Sequence, residues 1–79
     1  MFDYSKLLGR IKEICGTQKE FADRIGMSLT AVNERLRNKR DFTCTDICRA
    51  CEVLFIPHEE IPAYFFVLKV QNTNYQPMS

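Results

Sequence analysis

The chain has no tryptophan, a single histidine, only three glycines and only three prolines among its 79 residues. With so little glycine and proline there is no linker-like stretch, no internal repeat and no low-complexity segment. The lone histidine, His58, stands between Pro57 and Glu59 and reads as a solvated helix start. No serine, cysteine or acid pair has a credible base partner with a third group to orient it, so the expectation is that the chain is not an enzyme. Long apolar runs are missing as well: the longest, Tyr64 to Leu68, falls far short of the roughly 18 residues that a membrane-spanning helix requires. The start Met1-Phe2-Asp3-Tyr4 lacks the charged flank and apolar stretch of an export signal. A soluble, cytoplasmic protein without a membrane partner is expected.

What is present describes one small globular domain: 46% apolar, 27% charged and 11% aromatic residues. A chain of this length buries only about 60–65% of its unfolded surface, so its stability amounts to a few kcal/mol and a homodimer is a reasonable expectation. Four cysteines, Cys15, Cys44, Cys48 and Cys51, are read as reduced thiols. The formal net charge is +1, yet the charge is unevenly placed. Residues 1–40 carry nine Lys/Arg against five acids, whereas residues 41–79 carry two against five. Four of the six residues from Arg35 to Arg40 are basic, enough for a local positive patch or for a solvated charge run at a helix end.

Apolar spacing and capping signals divide the chain into helices. Asp3 is placed to cap a first helix with Tyr4, Leu7, Leu8, Ile11, Ile14 and Cys15 on one side, and Gly16 supplies its stop. Thr17-Gln18-Lys19-Glu20 fits a capping box and opens a short second helix carrying Phe21, Ala22 and Ile25 inward, which Gly26 ends. Ser28 caps a third helix whose apolar residues Val32 and Leu36 form one stripe, with Asn38 as its stop. Two short helices joined by a glycine turn are a unit in which the first holds the second out from the body. Thr43 and Asp46 open a fourth helix with Ile47, Ala50, Cys51 and Leu54 on one face. Pro57 and Pro62 mark breaks at Ile56 and Ile61, leaving one or two helical turns across 57–65. Phe65 to Val70 is apolar and β-prone: a short C-terminal strand, an extended arm or a packed segment. The polar residues 71–79 read as a flexible tail.

A helix winds about 100° per residue, which sets Thr30, Asn33, Glu34 and Arg37 opposite the inward Val32 and leaves Leu29 on the shoulder. A hydroxyl, an amide, a carboxylate and a guanidinium on one exposed face are side chains that hydrogen-bond base edges in a major groove, and Leu29 suits a thymine methyl or extends the core stripe. Gln18, Lys19 and Ser28 at helix starts, and Arg35, Lys39 and Arg40 at the far end, are the candidate phosphate contacts.

The spacing of Gln18, Ala22, Gly26 and Val32 resembles the helix-turn-helix of the lambda-repressor and Cro-like family of regulators. Asp3-Tyr4-Ser5-Lys6-Leu7, Thr17-Gln18-Lys19-Glu20-Phe21-Ala22 and Ile61-Pro62-Ala63-Tyr64-Phe65-Phe66 are similar to short phage-encoded Cro-type proteins. The resemblance implies an all-α, compact five-helix domain over 1–70 with its motif at 17–37. In it Ala22 lets the motif helices approach and Gly26 makes the turn. It also implies base reading by Leu29, Thr30, Asn33 and Glu34, phosphate contacts from Gln18, Lys39 and Arg40, and a dimer on a double-stranded DNA operator. The apolar run then offers Phe66, Leu68 and Val70 as dimer contacts.

Some phage relatives of this fold bind a repressor protein rather than DNA, and the apolar Leu29 with the acidic Glu34 suits that second reading. Cys44-x3-Cys48-x2-Cys51 has the spacing of an iron–sulfur ligand set, but it follows one helix face beside Ile47 and Leu54, so buried thiols and no metal or other cofactor are expected.

Overall fold

The structure, a computed structural model, describes residues 1–69. Val70 of the expected dimer contact and the expected tail 71–79 lie outside the described residues. The architecture is all-α. Among the described residues there are five α-helices: α1 (Ser5–Cys15), α2 (Gln18–Ile25), α3 (Leu29–Leu36), α4 (Cys44–Leu54) and α5 (Ile61–Phe65), the last entered through a 3-10 turn at His58–Glu60.

Local chemistry sets the helix ends. The Thr17 hydroxyl accepts from the Glu20 N–H at 3.1 Å and the Ser28 hydroxyl from the Ala31 N–H at 3.1 Å, satisfying donors that the first turn leaves open. Thr43 and Asp46 cap each other reciprocally. Between α2 and α3, Gly26 takes a left-handed φ of 76°, and the Met27 N–H reaches back to the Ala22 carbonyl at 2.9 Å. That turn holds α3 across α2. Leu7, Ile11, Phe21, Val32, Leu54 and Phe65 are fully buried, and α2 packs against α1, α3 and α4 around them. Burial of each large apolar side chain is worth about 1.5–3 kcal/mol, so this core determines how firmly α3 is presented.

The two ends of the described chain meet. The Asp3 N–H donates to the Val67 carbonyl at 2.7 Å and the Lys69 N–H to the Met1 carbonyl at 2.9 Å, making one antiparallel bridge between Phe2 and Leu68. Asn38, left-handed at φ 64°, closes the other side: its Oδ1 accepts from the Phe2 N–H at 2.8 Å and its Nδ2 donates to the Phe2 carbonyl at 2.9 Å. The residue that stops α3 therefore also anchors the N-terminus.

Several expectations are corrected. Asp3 is not the N-cap: Tyr4 holds that position, and the Asp3 carboxylate instead accepts from the Ser5 N–H and hydroxyl. Leu8 faces outward, because the core side of α1 is the Leu7–Ile11 stripe. Ile61 is the first residue of α5 rather than a break, since Pro62 sits in the first turn, where its missing N–H costs nothing. Cys44 and Cys48 are exposed thiols, and only Cys51 is buried. Cys44 lies in the open first turn of α4 and Cys48 is turned about 100° from Ile47, outside the inward stripe.

Candidate interaction surface on the third helix

The outward face of α3 brings together most of the residues expected there. Leu29 keeps 40% of its surface exposed, Thr30 and Arg37 are exposed, and Asn33 and Glu34 are half-buried. Leu29 is thus a shoulder residue available to a partner and is not part of the closed core stripe. Arg37 forms the C-cap of α3 and is exposed, and Lys39 follows in the loop, also exposed.

The remaining basic residues are largely committed. Arg35 turns away from the outward face: its Nε donates to the Asp46 carboxylate at 3.0 Å and its Nη1 to the Ala31 carbonyl at 3.0 Å. Only 16% of the Arg35 side chain and 14% of Asp46 are exposed, so Arg35 joins α3 to the start of α4 and is corrected as a phosphate contact. Burial raises the Asp46 carboxyl, but the Thr43 N–H, the Arg35 guanidinium and the Thr43 hydroxyl outweigh it and hold the group below its ordinary range. Arg40 lies 3.0 Å from Glu34, which cancels the acid on the α3 face. Lys19 pairs with Asp23 at 3.3 Å along α2, in an exposed pair that water screens. Gln18 is half-buried at the first position of α2, and the Ser28 hydroxyl is occupied as a cap.

The surface is therefore a mixed one: an apolar shoulder at Leu29, hydrogen-bonding groups at Thr30 and Asn33, a neutralised Glu34–Arg40 pair, and two open cations at Arg37 and Lys39. Sequence reading missed the Arg35–Asp46 and Glu34–Arg40 pairings and the Asn38 clamp on Phe2. Only Asn38 carried a signal, as a residue type that tolerates left-handed backbone. Phe66 and Leu68 are exposed at 50% and 67% beside the terminal bridge. The Cys51 thiol is pushed up by burial and then by Cys48. Among the described residues no three His, Cys, Asp or Glu side chains are arranged to hold a metal ion, and no helix is long and apolar enough to cross a membrane.

Fold and surface define a small all-α domain that presents a short, mixed-polarity helix. The chain belongs to the family described as protein of unknown function DUF739, whose model matches residues 1–67. It is similar to the modulator of repression (MOR) of the temperate bacteriophage TP901-1 from Lactococcus lactis, known from its solution structure. The identity is 43%, the match covers 89% of this chain and 95% of that one, and the TM-score is 0.76. No curated protein sequence matches the chain. The class that follows is a small helical chain similar in sequence and fold to a phage regulatory protein.

Proposed function

We propose that this chain is a modulator of repression, a cytoplasmic regulator that binds a phage repressor protein and changes that repressor's hold on its operator. The observation that carries the reading is the 43% identity and 0.76 TM-score to a phage modulator of repression over nearly the full length of both chains. The α3 face supports it. An apolar shoulder at Leu29, flanked by the uncharged Thr30 and Asn33 and the self-neutralised Glu34–Arg40 pair, suits a protein surface better than a row of phosphates. In this reading Leu29 is the anchor, Thr30 and Asn33 supply hydrogen bonds, and Arg37 and Lys39 form a polar rim. Exposed Phe66 and Leu68 support a self-contact, which sedimentation of the purified chain reads directly.

The test is titration calorimetry between this chain and a purified phage repressor, taken from the phage or prophage that carries this chain, with Leu29→Ala as the probe variant. A saturable complex that Leu29→Ala weakens about five- to thirtyfold supports the reading. A repressor that gives no heat and no complex refutes it.

Direct DNA reading is the second hypothesis, favoured by one observation: Arg37 and Lys39 stand open at the end of a helix set on a glycine turn. Under it Thr30, Asn33 and Arg37 would face bases, Gln18 and Lys39 would face phosphates, and Arg40 would have to leave Glu34 to join them. Such binding would weaken steeply as salt rises, whereas a protein complex of this mixed polarity would respond little.

A further inference from the structure

Away from the outward face of α3, where the loop after α3 passes the N-terminus and the end of α5, a cavity of about 270 Å³ is lined by Phe2, Tyr4, Asp41, Phe42, Phe65 and Phe66, together with Ile47. Three of the four ring pairs stand nearly perpendicular, and Phe2 and Tyr4 are tilted by 45° at 6.1 Å. Phe2 and Phe66 meet edge to face with centroids 5.8 Å apart, and Phe42 meets both Tyr4 and Phe65 edge to face at 5.3 Å. Perpendicular rings make corners with electron-rich faces, in which a cation is attracted to one ring while its apolar flank lies along the next.

An aromatic cluster alone is ordinary core. This one has a carboxylate in its wall: Asp41 is exposed, and none of the ion pairs among the described residues includes it, the neighbouring Arg40 being taken by Glu34. The Tyr4 phenol is pushed up first by burial and then by the Asp41 charge, so the carboxylate acts across the cavity wall. A negative group among aromatic faces repels phosphate and leaves an anionic, apolar-walled site without a counter-ion.

We propose that this cavity is a receptor for a guanidinium group, which stacks on the partly open rings of Phe2, Phe42 and Phe66, with the buried Tyr4 and Phe65 behind them, and pairs with Asp41. Guanidinium fits better than ammonium because it is planar, weakly hydrated, able to lie on a ring, and forked to match both carboxylate oxygens. The group comes from an arginine side chain of a bound protein or from a free guanidinium compound. The site uses none of Leu29, Thr30, Asn33 or Arg37, so it stands or falls separately from the repressor contact, and it shares only Phe66 with the proposed self-contact.

The probe is N-acetyl-arginine methylamide, titrated into the full chain while the aromatic ring signals of Phe2, Tyr4, Phe42 and Phe66 are followed by NMR. N-acetyl-norleucine methylamide serves as the apolar control. Saturable millimolar binding of the arginine probe is expected, weakened about five- to tenfold in Asp41→Asn and reduced in Phe66→Ala, whose ring is half exposed and whose loss spares the core. Equal shifts with norleucine, or binding unchanged in Asp41→Asn, would overturn the proposal. A second arm measures the chain's complex with the repressor. If Asp41→Asn and added arginine probe both weaken that complex, the guanidinium is a partner's arginine; if the probe binds and the complex is indifferent, the site takes a free guanidinium compound.

Discussion

The two ends of α3 differ more than the sequence implies. Its N-terminal half leaves Leu29 and Thr30 exposed, on a turn fixed by Gly26 and Ser28. At its C-terminal half, the run from Arg35 to Arg40 reads as a block of free positive charge, yet Arg35 is spent on Asp46 and Arg40 on Glu34. The difference shows that a basic run becomes a positive patch only after its partners elsewhere in the chain are subtracted. Here the subtraction leaves two cations beside an exposed leucine, the balance on which the proposed protein contact rests.

The largest effect that would break this contrast is expected from Asp46→Ala. It strips Arg35 of its carboxylate and α4 of its reciprocal cap, and should lower unfolding free energy by about 2–3 kcal/mol in urea titration. Leu29→Ala at the open end should leave the unfolding midpoint nearly unchanged while costing about 1–2 kcal/mol of repressor affinity; the opposite pattern would return Leu29 to the core. Acid provides a third test. Because the folded Asp46 carboxyl lies below its ordinary value of 3.8, its stabilisation is fully present above that pH and is lost as pH falls through the folded value. Stability of the parent chain should therefore decline on acidification below about pH 4, and Asp46→Asn should flatten that decline. The smallest effect belongs to Arg40→Ala, whose half-exposed pair with Glu34 should contribute no more than about 0.5 kcal/mol by thermal melting.

The helices were legible because their ends are written in short-range chemistry: Thr17, Gly26, Ser28 and Thr43 each act on backbone within a few residues. The inward stripe of Leu7, Ile11, Phe21, Val32 and Leu54 follows from helical spacing for the same reason. What the sequence hid depends on distant partners. Arg35 meets Asp46 across the α3–α4 loop, and Asn38 clamps Phe2 from the far side of the chain. Asp41 faces rings from both termini only after folding brings them together. The exposure of Cys44 and Cys48 shows the limit of counting spacing, because a shoulder position belongs to neither face until the neighbouring helices are in place. Of the candidate site, the residue identities on the α3 face could be read from periodicity, but which of the charges remain free could not.

The most direct measurement is fluorescence anisotropy of a labelled operator duplex at about 0.1 M salt, with this chain added alone and then together with the phage repressor that binds that operator. A modulator leaves the duplex signal unchanged when added alone and shifts the repressor's binding curve when both are present. A saturable, steeply salt-dependent rise with this chain alone, and a repressor curve that does not move, would contradict the assignment and make the chain a DNA binder in its own right.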